Sequence, residues 1–323
     1  RRFKVYKTYK NLNNHLGLPL SLLQIRAEHE AAVLELGMNH KGEIDFLASI
    51  AQPNIAVLTN VGDAHLGHFG SRASIAEAKA ELFAHTDKDG YILLHGDDPL
   101  VRNLEEKFPG KSYFFGFSST NHIFASQIET VAEGTKFVLH FQDEVHPFFI
   151  PTFGKHNVAN CLPCIFIAKQ LGLSFHEIKE ALKTLSISEM RFQVINGPHG
   201  SMLVNDAYNA SPTSMKASID TFLEIYPERK KVLVLGDILE LGEKERELHE
   251  EIGRYLQNKK VTLFTIGQLA KYISAKAGGT HFSSYEEVAT ALKSHLNEET
   301  AMLFKASRGM KLEEIIHLLL KEA

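Results

Sequence analysis

Short apolar runs alternate with stretches of helical periodicity along this 323-residue chain, a pattern that confines it to the α/β class with parallel sheets. Ala31-Ala-Val-Leu-Glu-Leu36, then 54–59 and 91–94, read as strands buried on both faces. Helical stripes lie at Ile44, Leu47 and Ile50 and at Ile75, Leu82 and Phe83. Between Tyr113 and Ile150 the period changes to two, with Phe137, Leu139 and Phe141 alternating with Lys136, His140 and Gln142. Gln142-Asp-Glu144 fits a hairpin turn, so a small antiparallel part is expected there. Helices are expected over 157–171 and 175–185.

A second α/β unit begins after Arg191. Its expected strands are 202–205, 231–235, 261–266 and 301–304. Its helices carry stripes at Met215, Ile219 and Phe222, at Leu248, Ile252 and Tyr255, and at Leu312, Ile315 and Ile316. Ser211-Pro212 supplies an N-cap and a proline at the first helical position. The expected domains are therefore 1–190 and 191–323.

Hydrophobic residues at 44% suit a globular chain with two cores, and a net charge of −4 gives no reason to expect nucleic acid as a partner. No run is long enough for a membrane span, and Arg1-Arg2-Phe3-Lys4 leads into no signal-peptide core. Without an initiator Met, the chain is expected to be part of something longer. Cys161 and Cys164 stand alone, whereas a structural zinc needs four ligands. Their apolar surroundings favour small core residues on a buried helix over redox chemistry, and a reducing cytoplasm is expected.

Ligands of open parallel sheets bind beyond the carboxyl ends of the strands. Glu35 lies near the end of one run, and another ends in Thr59-Asn60, followed by Val-Gly-Asp-Ala-His65-Leu-Gly-His68. A carboxylate, an amide and a histidine on one rim suit Mg²⁺ and a phosphate. A helix cap and a solvated loop explain the same residues equally well. His65-x-x-His68 without further ligands is a weak zinc signal. Lys79 shares an apolar helical face with Ile75, Leu82 and Phe83. Burial disfavours the ammonium and frees the amine for chemistry. On these residues alone, a lysine that snorkels its head to water carries more weight.

Thr59-Asn-Val-Gly-Asp-Ala-His-Leu66, Ile75-Ala-Glu-Ala-Lys79 and Gly154-Lys-His-Asn-Val-Ala-Asn160, in that order and spacing, resemble the Mur ligases. Residues 7–20, 205–216, 235–242 and 305–311 resemble the branch whose substrates are UDP-N-acetylmuramoyl-tripeptide and D-alanyl-D-alanine. The resemblance covers nearly the whole chain. It implies a central ATPase domain, with a mostly parallel sheet, flanking helices and a small antiparallel part, followed by a Rossmann-like C-terminal domain. ATP and Mg²⁺ are the implied cofactors. Glu35 and His65 are implied to hold Mg²⁺, and Lys79 to be carbamylated into an anionic oxygen ligand; these three form the expected catalytic and metal-binding set. Asn60, His156, Asn157, Asn160, Arg191 and Asp206 are implied on the ATP side. Asn11, Asn13 and Asn14 are implied to face the muramoyl-peptide, and Tyr208, Asn209, Ser307 and Arg308 the amine acceptor.

The implied reaction is amide formation through an acyl phosphate, in a cytoplasmic monomer. The resemblance also implies a Gly-rich phosphate loop shortly before Arg1 and an N-terminal domain for the uridine end of the substrate. Residues 1–323 by themselves are accordingly expected to bind ATP poorly and to be inactive. Ser211 stands where the family's pattern has Asn, and Asn205 where an acidic residue is common. The rivals are another Mur-type ligase, folylpolyglutamate synthase or cyanophycin synthetase, and a non-catalytic binding protein.

Overall fold

The computed structural model describes residues 2–64, 66–186 and 188–321. Strands β1 (Val5–Lys7) and β2 (Ala31–Val33) pair in parallel as a small sheet of their own. A six-stranded sheet follows from β3 (Ile55–Leu58), β4 (Tyr91–His95), β5 (Lys111–Gly116), β6 (Ile123–Val131), β7 (Gly134–Phe141) and β8 (Glu144–Ile150). Its spatial order is the chain order, parallel from β3 to β6 and antiparallel from β6 to β8. The period of two in β4 explains its burial on both faces. Ile92 and Leu94 pack with Ile75 and Phe83, whereas Leu93 joins Phe115, Phe137 and Phe166 on the opposite face. Helices Glu43–Ala51 and Arg72–Ala80 cover the first face, and Lys155–Gln170 and Phe175–Leu182 the second.

The second sheet contains β9 (Gln193–Asn196), β10 (Met202–Asn205), β11 (Lys230–Leu235), β12 (Thr262–Ile266), β13 (Thr280–Phe282) and β14 (Thr300–Lys305). Its order is 13-12-11-14-10-9, parallel throughout except for the β9–β10 edge. Leu233 and Leu235 face one core, and Val232 and Val234 the other. The expected α/β architecture is therefore present in both halves.

Several local expectations need correction. The run 31–36 is not a strand buried on both faces: only 31–33 pair, Val33 is 62% exposed, and Glu35 lies beyond the strand. A two-stranded ladder has one hydrogen-bonded neighbour and no layer over this face. Ile50 is exposed, while Ile44 and Leu47 are buried. Tyr113 lies in β5, a parallel strand, so the antiparallel part begins only with β6 and β7. Cys161 is in the core, where burial pushes its thiol up to about 12, whereas Cys164 is exposed. Edge strands β9 and β13 are too short and too polar to stand out in the sequence.

Ser211 caps helix Pro212–Ile225, its Oγ accepting the Ser214 N–H while the Ser214 Oγ accepts the Ser211 N–H. Ser211→Ala is expected to cost about 1 kcal/mol in urea unfolding. An unchanged midpoint would show that proline at the first position fixes this helix start unaided.

Candidate active site

Beyond β3, Thr59 and Asn60 are exposed, and the Asn60 carbonyl accepts a hydrogen bond from Lys79 Nζ at 2.7 Å. Lys79 sits in the last turn of Arg72–Ala80. Ser71 caps that helix by accepting the Ser74 N–H, and Arg72 ties it to the Val61 carbonyl at 2.7 Å and to Asp98 at 2.8 Å. The helix therefore delivers Lys79 to the Asn60 carbonyl. The side chain is half-buried, and desolvation lowers its pKa below the ordinary lysine value. The helix becomes a 3₁₀ turn at Glu81–His85, where Phe83 is buried and Leu82 partly so.

Glu35 is exposed, its carboxylate accepting from Asn13 Nδ2 at 2.9 Å and its N–H donating to Thr8 Oγ1 at 2.9 Å. The Asn13 carbonyl accepts the Gly37 N–H, and a Cβ at Gly37 would stand 2.8 Å from the Asn13 amide. Gly37 thus allows the close seat of Asn13. Asn14 acts on its own turn, where its Oδ1 accepts the N–H groups of Leu16 and Gly17 at 3.1 and 2.8 Å. Glu35 and Lys79 are held by different neighbours, Asn13 and Asn60. His65 lies outside the described residues, among which no three His, Cys, Asp or Glu side chains gather to hold an ion.

Of the residues expected on the ATP side, His156 lies near Asp206 and Lys305 of the other half. Gly154, at φ 93°, leads into Lys155–Gln170; Asn157 Nδ2 donates to Thr152 Oγ1 and to the Phe153 carbonyl, bracing that entry. Desolvation lowers the pKa of His156, with Asp206 opposing and Lys305 adding. Asp206 accepts the Phe192 N–H at 3.0 Å and Lys305 Nζ at 2.7 Å, and Lys305 also donates to the Asn209 carbonyl at 3.1 Å. The Arg191 guanidinium lies 4.3 Å above the Tyr208 ring. Asn160 is exposed one turn into its helix, its carbonyl accepting the Cys164 thiol. In the turn after β10, the Asn205 amide oxygen accepts the Ala207 N–H at 3.2 Å.

A cavity of about 320 Å³ spans the junction: Asn11 and Ala64 face Tyr208, Asn209, Ser307 and Arg308 across it. Leu239 and Glu240 complete the wall. Ser307 Oγ accepts the Leu239 N–H at 2.9 Å, and the Ser307 N–H donates to the Asp237 carbonyl at 3.0 Å. The buried Asp237 carboxylate accepts the N–H groups of Gln268, Leu269 and Ala270. Lys305, Asp237, Leu239 and Glu240 were not among the sequence candidates. A charged residue closing the apolar run Ala301-Met-Leu-Phe304 was the available signal for Lys305. A wider hollow of about 650 Å³ at Gly96, Asp97 and Arg102 holds none of the expected residues. There Asp97 accepts from Phe117, Ser118 and Asn121, which makes it a brace for the β5–β6 connection.

Residues 1–168 match the Mur ligase middle domain, and residues 190–308 match the Mur ligase, glutamate ligase domain. The chain belongs to the Mur ligase family. Among Mur ligases, it is 39% identical to UDP-N-acetylmuramoyl-tripeptide–D-alanyl-D-alanine ligase of Bacillus subtilis (strain 168), over 98% of this chain and 70% of that one. The enzyme of the same name from Escherichia coli (strain K12) is 31% identical over 97% of this chain and 70% of its own. The fold matches that of MurF from Acinetobacter baumannii with a TM-score of 0.92 at 32% identity, covering 99% of this chain and 71% of that one. For the Thermotoga maritima MurF ligase in complex with ADP, the TM-score is 0.89 at 29% identity, covering 99% and 74%.

Proposed function

We propose that this Mur ligase chain joins D-alanyl-D-alanine to UDP-N-acetylmuramoyl-tripeptide with ATP hydrolysis, in peptidoglycan precursor synthesis. The observation that carries the reading is 39% identity, over 98% of the chain, with the Bacillus subtilis ligase of that name. The ADP complex of the Thermotoga maritima MurF supports ATP as the phosphoryl donor. The tripeptide carboxylate attacks the γ-phosphorus of ATP, the β–γ bridging bond breaks, and an acyl phosphate and ADP result. The D-alanyl-D-alanine amine then adds to the acyl carbon. The tetrahedral intermediate expels inorganic phosphate, and the nitrogen loses a proton.

Each group contributes positioning or charge compensation, the main demands of phosphoryl transfer. His156 and Asn160 face the base, with Asn157 bracing the entry to their helix. Asp206 takes the ribose, oriented by Lys305 and the Phe192 N–H. Arg191 supplies cationic charge to the phosphates. Tyr208, Asn209, Ser307 and Arg308 receive the acceptor in the cavity that Asn11 and Ala64 close from the other half. Asn11 and Asn13 stand on the muramoyl-peptide side, with Asn14 holding their turn. Glu35 and Lys79 suit a hard cation once CO₂ has converted the desolvated amine into a carbamate. Mg²⁺ held there, with His65, would offset charge on the phosphoryl group. The reading includes lobes 1–190 and 191–323, a monomer, and a cytoplasmic site where ATP is abundant. No helix among the described residues is long and apolar enough to cross a membrane.

A substrate panel on the complete protein tests this reading. Phosphate release is expected in step with amide product when UDP-N-acetylmuramoyl-tripeptide and D-alanyl-D-alanine are both present. Turnover with a folate and glutamate, but not with the muramoyl-tripeptide, would replace this reading by that of a sibling ligase.

A further inference from the structure

The segment Gly236-Asp-Ile-Leu-Glu-Leu-Gly242 is held at several points. Asp237 is anchored by the three N–H groups of 268–270, the Ile238 N–H donates to His249 Nε2 at 3.0 Å, and the Leu239 N–H donates to Ser307. Glu240 and Gly242 both have left-handed backbone, at φ 65° and 62°. This rigid turn meets the loop after β3 across the junction. The Gly67 N–H donates to the Glu240 carbonyl at 3.0 Å. A Cβ on Gly67 would stand 2.7 Å from the Gly242 nitrogen and 3.0 Å from the Glu240 oxygen, both backbone atoms. A Cβ on Gly242 would stand 2.8 Å from the Gly67 Cα. Beside this contact, Thr213 hydrogen-bonds Asp63 from the other half.

Gly67 lies within the short helix Leu66–Phe69, where alanine is the better helix former. Its backbone needs no left-handed conformation, so local structure does not call for glycine. What calls for it is the approach of the other half. The cavity wall is built from the same two segments, with Ala64 just before Gly67 and Leu239-Glu240 just before Gly242. We infer that Gly67 is a positioning residue, whose missing side chain lets the 239–242 turn seat on the loop after β3 and complete the acceptor cavity. The inference rests on the ligase reading for its kinetic consequence, but not for the contact itself.

The deciding experiment is Gly67→Ala in the complete protein. The thermal midpoint is expected to change little, because alanine favours the helix while the contact with the 239–242 turn is lost. The KM for D-alanyl-D-alanine is expected to rise roughly tenfold, as for the loss of a well-seated contact. The KM for ATP is expected to rise less than that for D-alanyl-D-alanine, because His156 and Asn160 stay together on one helix, and the radius of gyration from small-angle scattering is expected to increase. An unchanged acceptor KM, or equal losses against both substrates, would overturn the inference. Amide exchange at Gly67 of the unsubstituted protein is an independent check should the variant fail to fold: protection supports the contact, and exchange at the rate of an open loop overturns it. If the parent does not use D-alanyl-D-alanine at all, the ligase reading fails, while scattering and exchange still decide the contact.

Discussion

Lys79→Ala is expected to lower kcat by about a thousandfold or more, on the scale seen when a preorganised electrostatic group is removed from a transition state. The expectation starts from an awkward placement. The amine is half-buried, donates to the Asn60 carbonyl, and has its pKa lowered by desolvation. Those conditions penalise a permanent ammonium, yet they raise the fraction of free amine that can add CO₂. Bond formation there replaces an N–H with an N-carboxylate, and the side chain changes from a cation into an anionic oxygen donor. Two controls separate this role from that of a simple cation. Lys79→Arg keeps a positive charge and cannot form the carbamate, so it should be as inactive as the alanine variant. Formate or acetate, placed in the space left by Lys79→Ala, should restore part of the activity. The pH response has a definite sign. Because the pKa is lowered, the amine deprotonates at lower pH than an ordinary lysine, and at a fixed concentration of dissolved CO₂ the stripped enzyme should regain activity faster as pH rises. Activity in Lys79→Arg near that of the parent would end the carbamate assignment and leave a phosphate-binding cation in its place.

What the sequence makes legible depends on the distance over which each feature is encoded. The Ser211 cap, the Met215–Ile219–Phe222 stripe and the apolar face carrying Lys79 are written in adjacent turns, and all three are present in the fold. The two-sided burial of β4 and β11 was legible because a short continuous apolar run admits few other environments. The extent of β2 was not, because it depends on which strand lies beside it, and β1 is its one neighbour in the sheet. The site divides in the same way. Asp206 was a candidate from its own motif, but the cation that fixes it comes from Lys305, 99 residues away. Leu239 and Glu240 were singled out only as part of a distinctive segment, and their place in the cavity wall follows from Ser307 and Asp237 holding the turn. What calls for glycine at position 67 is the backbone of the 240–242 turn, which the local sequence does not show.

The second large effect is expected at Lys305. Its Nζ is 2.7 Å from Asp206 Oδ2, with the two side chains 4% and 15% exposed, so Lys305 is buried and Asp206 mostly so. Lys305→Met keeps the length of the stem and removes the charge, leaving a carboxylate whose remaining named partner is the Phe192 N–H. The Asn209 carbonyl loses its donor in the same step. Breaking a buried pair from one side costs about 3–5 kcal/mol, because the abandoned charge stays desolvated. Urea unfolding should show a loss of that size. The second carboxylate partner tells whether the cost belongs to the unpaired charge: Lys305→Met combined with Asp206→Asn should be more stable than Lys305→Met alone. Nucleotide affinity should nevertheless fall in both variants, since the proposed ribose contact is misplaced in one and uncharged in the other. A loss below about 1 kcal/mol for Lys305→Met would mean that water reaches Asp206 freely, and the pair would then have no claim to orient the nucleotide side of the junction.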